Sequence, residues 1–76
     1  MVTPIQFDAL PESARDELLR NNSDLSAYAG LAFYSDGPVY YFENRESPER
    51  GSVYKWYGSA WVRIEWYVWQ PLRPAV

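Results

Sequence analysis

"VYKWYGSAWVRIEWYVWQ", residues 53–70, holds all four tryptophans of the chain, with Tyr54, Tyr57 and Tyr67 among them. The stretch reads as a hairpin from Ser52 to Gln70, turning at Tyr57-Gly58-Ser59-Ala60 and stopped by Pro71. Successive side chains of a strand point to opposite faces. Trp61, Arg63, Glu65, Tyr67 and Trp69 therefore share one face of the last strand. Val62, Ile64, Trp66 and Val68 share the other, which is the predicted core face. Turn length decides how the preceding strand aligns. An even-numbered loop opposes Trp56 to Trp61 and stacks Tyr54, Trp56 and Trp61 on the mixed face. A three-residue loop would instead send Tyr54 and Trp56 into the core and set Lys55 beside Trp61, a cation–π geometry. The even loop is the reading adopted.

Before it, "LAFYSDGPVYYFE", residues 31–43, reads as an earlier hairpin turning at Asp36-Gly37, a preferred pair for tight turns. Pro38 then opens the second strand, where its missing donor is tolerated. "NRESPERG", residues 44–51, is a polar connection between the hairpins. Upstream, Pro11 suits a first helical position. Leu10, Ala14 and Leu18 recur at i, i+4, i+8 with Leu19 beside them, an amphipathic stripe. Asp16 and Arg20 stand at pairing distance on that helix. Asn21-Asn22 is a fitting stop. Ser23-Asp24 can cap a short further turn reaching Tyr28 and ending at Gly30.

The expected fold is α+β: a short N-terminal helical segment packed on a four-stranded antiparallel meander. Residues 1–10 are an arm, 11–30 the helical segment, 31–70 the sheet and 71–76 an extended tail, all in one small domain.

Composition narrows the function. With 76 residues the chain buries only about 60–65% of the surface its unfolded form exposes. Aromatic residues make up 18% of it, and their large buried areas substitute for staples. There is no Cys and no His, so a Cys/His zinc site and a His-based triad are excluded by inventory. The acids Glu43, Glu46, Glu49 and Glu65 are the only carboxylates that suggest a catalytic pair. Three of them lie in or beside the polar loop, where carboxylates are ordinarily solvated. No catalytic, cofactor or metal residue is assigned. Net charge is −3, with the basic residues scattered, which argues against a grip on nucleic-acid phosphates. No apolar run is long enough to span a bilayer. The first residues lack the pattern of a signal peptide, so cytoplasm is the default expectation.

Tyr54, Trp56, Gly58, Ser59, Trp61, Val62 and Ile64 form the pattern Tyr-x-Trp-x-Gly-Ser-x-Trp-Val-x-Ile. It resembles a hairpin of tailed-bacteriophage virion proteins, found in fibres and in small head or tail components. The likeness covers about residues 53–64. Family segments often carry Asp before the Gly, where this chain has Tyr57. The resemblance implies a structural or adhesive role in a virion and no catalysis.

A helix covers one sheet face only. The other would carry Trp61, Arg63, Tyr67 and Trp69. Either the arms Met1–Phe7 and 71–76 fold back over it, or another chain does. Trp, Tyr and Arg dominate interface hot spots, which favours the second. The expected protein interface is therefore Trp61, Arg63, Tyr67, Trp69 and Leu72, meeting a second copy or a larger virion protein. On that reading Trp69→Ala weakens association and spares the fold. Two alternatives stay open. One is a small acidic inhibitor that occupies a host enzyme. The other is a carbohydrate-binding module with Trp61, Tyr67 and Trp69 stacked on a sugar face.

Overall fold

The computed structural model describes residues 1–21, 23–24, 28, 31–44 and 52–74. The helical turn expected after Ser23 and the polar loop beyond Asn44 lie mostly outside them, as do Glu46 and Glu49.

The chain forms β1 (Thr3–Ile5), a 3-10 turn (Phe7–Ala9), α1 (Glu12–Asn21), β2 (Ala32–Asp36), β3 (Val39–Asn44), β4 (Ser52–Trp56), β5 (Trp61–Ile64) and a single-turn helix, α2 (Trp66–Trp69). The strands make one antiparallel sheet in the order β1-β2-β3-β4-β5. The α+β class stands, with five strands in place of four. The arm supplies the fifth: Ile5 lies opposite Phe33 and Pro4 opposite Tyr34. Period 2 explains why it docks, since Val2 and Ile5 pack into clusters on opposite sheet faces.

Both hairpins follow turn chemistry. The first has the two-residue loop Gly37-Pro38 between the paired Asp36 and Val39, one position beyond the expected turn. Gly37 has φ +61. Proline holds φ negative, so a type I′ turn, which needs two positive φ values, is ruled out and the type II′ pattern fits. In the second hairpin Trp56 faces Trp61, the even-loop register. Tyr57 N–H donates to the Ala60 carbonyl at 3.0 Å, and Gly58 takes φ +89.

The faces differ from expectation. Ile5, Phe33, Phe42, Tyr54 and Arg63 form one cross-strand row. That row and the neighbouring Trp56 and Trp61 lie on the side that receives Leu10, Ala14 and Leu18. The mixed face is thus the helix face. Val62 and Ile64 point to the opposite side and do not meet α1. Helix α1 itself starts where read: the Arg15 N–H donates to the Pro11 carbonyl at 3.0 Å. Its ion pair is Arg20 with Glu17 at 2.8 Å, one residue nearer than the Asp16 partner expected.

The last strand also ends early, at Ile64. An all-apolar run such as Trp66–Trp69 carries no period that separates strand from helix. Helical winding puts Trp66 and Trp69 on one side, at i and i+3. There they cover the sheet face that α1 leaves bare. The turn runs on past α2, with Leu72 and Arg73 N–H both donating to the Trp69 carbonyl at 2.8 and 3.0 Å. Residues 71–73 are therefore a wound turn, not an extended tail.

Candidate docking surface

Trp69 is the pivot of the C-terminal segment. It is fully buried, with ring centroids 5.2 Å from Tyr34 and 4.7 Å from Tyr41. Its indole Nε1–H donates to Glu43 Oε1 at 2.6 Å. Glu43 is 1% exposed, in contrast to the solvated role expected of it. Arg73 Nε stands 3.4 Å from the same oxygen, and its guanidinium lies over the Trp66 ring at 5.4 Å. A buried carboxylate must be paired to stay charged. Here it is paired by the segment that covers it, so Glu43 pins α2 to β3.

The expected interface set is thereby divided. Trp61 is half-buried on the α1 side, edge-on to Phe42 at 5.0 Å, with its Nε1–H donating to the Ala14 carbonyl at 3.0 Å. Trp69 is core on the other side and cannot touch a partner without unfolding. Arg63, Tyr67 and Leu72 are exposed, Tyr67 by 74% and Leu72 by 43%. Trp61, Tyr67 and Trp69 form no common platform for a sugar ring. The structure adds Val62 and Val68, 46% and 45% exposed, which alternation assigned to the core. The sequence signal for Val62 was its pairing partner. In the even register it faces Lys55, not an aromatic residue.

Among the described residues, no group of three or more His, Cys, Asp or Glu side chains lies together, and no helix is long and apolar enough to cross a membrane.

Two buried phenols lean on protonation. Desolvation raises the Tyr41 pKa, with smaller contributions from Asp36 and Tyr57. Desolvation also raises that of Tyr28, with Asp24 adding to it. The Tyr28 hydroxyl donates to the Leu18 carbonyl at 2.5 Å. A folded pKa above the unfolded value gives stability that is whole below about pH 10 and is lost as pH rises through the folded pKa. Thermal midpoints should therefore fall on titration from pH 9 to pH 12, and Tyr41→Phe should blunt the fall. A Tyr41→Phe curve parallel to wild type would remove Tyr41 from this account.

No family model, curated protein or solved structure matches this chain.

Proposed function

We propose that this chain is a non-catalytic assembly module of a tailed-phage virion, docking on other protein chains through the apolar surface of residues 62–72. One observation carries the docking reading. Beyond Met1 and Tyr57, every large hydrophobic side chain exposed among the described residues falls in that stretch: Val62, Tyr67, Val68 and Leu72. Exposed apolar side chains concentrated in one stretch of a small domain favour an interaction surface. Trp69 ties α2 to the sheet through its burial and its bond to Glu43, which favours docking with a small ordering cost. The virion assignment rests on the hairpin pattern of residues 54–64, and the lack of His and Cys favours a role without catalysis.

The test pairs association with stability. Tyr67→Ser combined with Leu72→Ser should weaken binding about tenfold or more, to the chain itself or to purified candidate head and tail proteins. Its thermal midpoint should stay within a few degrees of wild type, because both side chains are exposed. Sedimentation of the chain alone and in mixtures reads the first, and a melt reads the second. Unchanged association of the double variant with every partner that binds wild type would overturn the reading, as would a chain that binds neither itself nor any such protein.

A further inference from the structure

The two edges of the sheet are unlike. β1 is three residues long and carries Pro4, which has no N–H to offer. Short strands and proline are devices that blunt an edge. β5, at the other edge, is also short, at four residues, but holds no proline, so each of its backbone N–H groups can donate. Tyr57 and Ala60 are joined by a ladder-type hydrogen bond. Antiparallel pairs alternate between bonded and non-bonded, so Val62 and Ile64 turn their backbone groups to β4. Trp61 and Arg63 turn theirs outward, where no described residue receives them.

We infer that β5 pairs with β5 of a second copy about a two-fold axis through Val62, joining two sheets into one of ten strands. The inference goes beyond the docking reading above: the contact is made by the edge of β5 and stands independently of Tyr67 and Leu72.

Register follows from symmetry and charge. A two-fold axis normal to the sheet keeps each face on its own side, so opposed residues must share parity. Centring on Arg63 sets two guanidinium groups directly opposite, which is destabilising. It also matches Trp61 with Glu65, beyond the strand. Centring on Trp61 drives Arg63 against Ser59, in the turn. Centring on Ile64 leaves Trp61 unpaired. Centring on Val62 pairs Trp61 of each copy with Arg63 of the other. Both outward-facing residues are then hydrogen-bonded, and each guanidinium lies opposite an aromatic residue instead of a like charge. On the opposite face Val62 meets Val62 and Ile64 meets Ala60, all apolar. The contact is short, so the association is weak and is read at high concentration.

Cysteine scanning tests it, because the chain has no Cys of its own. Opposed residues of a non-bonded antiparallel pair have Cα atoms about 4.5 Å apart, within disulfide reach. Two copies of residue 63 would be about 8 Å apart, beyond it. Val62→Cys should therefore cross-link under mild oxidation and Arg63→Cys should not. Val62→Glu should shift the monomer–dimer midpoint upward about tenfold or more, since like charges meet at the axis. Its fold is kept, because the new carboxylate faces Lys55 across β4. Cross-linking at 63 and not at 62, or no cross-link at either with a monomeric mass throughout, overturns the inference. A monomer that still binds a virion protein through Tyr67 and Leu72 overturns only the edge pairing. Self-association lost in Val62→Glu but intact in the Tyr67/Leu72 variant supports the edge pairing and counts against the docking reading.

Discussion

Trp69→Ala should lower stability by about 3–5 kcal/mol, the range for removing a buried tryptophan. A domain of 76 residues has about 4–11 kcal/mol in all by the usual per-residue scale, so much of the population would unfold. Two effects add. The ring leaves a void between Tyr34 and Tyr41, which it contacts at 5.2 and 4.7 Å. The buried Glu43 carboxylate also loses the indole donor at 2.6 Å. Trp69→Phe separates them in part, since it keeps an aromatic ring in the slot while removing the N–H and the smaller part of the ring system. It should cost about 1–3 kcal/mol. Urea denaturation of both variants gives the comparison. If Trp69→Ala unfolds at the wild-type midpoint, the C-terminal turn is not part of the core. This expectation reverses what the sequence suggested for the same substitution, where association was to suffer and the fold was not.

The reversal shows which features the sequence carried. Local signals were legible. The stripe of Leu10, Ala14 and Leu18 gave α1, and turn residues gave both hairpins, with Trp56 opposite Trp61 as read. Parity was also legible: Val62 and Ile64 do share a face, and Trp61 and Arg63 share the other. What alternation lacks is any mark for which face the helix takes. β5 judged alone favours the aliphatic side. The sheet as a whole favours the side where Phe33, Phe42, Tyr54 and Trp56 accumulate, because that is the larger apolar area to bury. The run from Trp66 to Trp69 was ambiguous for a different reason. With four apolar residues in sequence, only the tertiary need to cover Tyr34, Tyr41 and Val53 selects a helical turn. Of the five residues expected at an interface, Arg63, Tyr67 and Leu72 stay exposed. Trp69 is drawn into the core on one face, while Trp61 is half-buried against the core on the other.

Glu43→Ala should cost about 3 kcal/mol, with the loss concentrated in the C-terminal turn. Removing one partner of a buried pair typically costs about 3–5 kcal/mol. Arg73 keeps 28% of its side chain in water, which places this case at the low end. The Trp69 N–H would be left buried beside an apolar methyl. Glu43→Gln retains an acceptor for that N–H and gives up only the charge assistance, so about 1–2 kcal/mol is expected. The two variants decide what holds α2 down. If the hydrogen bond to Glu43 is the clamp, Glu43→Ala should open residues 65–74 to protease well before the sheet unfolds, and Glu43→Gln should not. Association should fall in the same order, because Tyr67 and Leu72 are presented by the segment that Glu43 retains. Equal damage from both variants would assign the clamp to the carboxylate's charge and its ion pair with Arg73. No damage from either would leave aromatic packing of Trp69 as sufficient, with the buried glutamate merely tolerated.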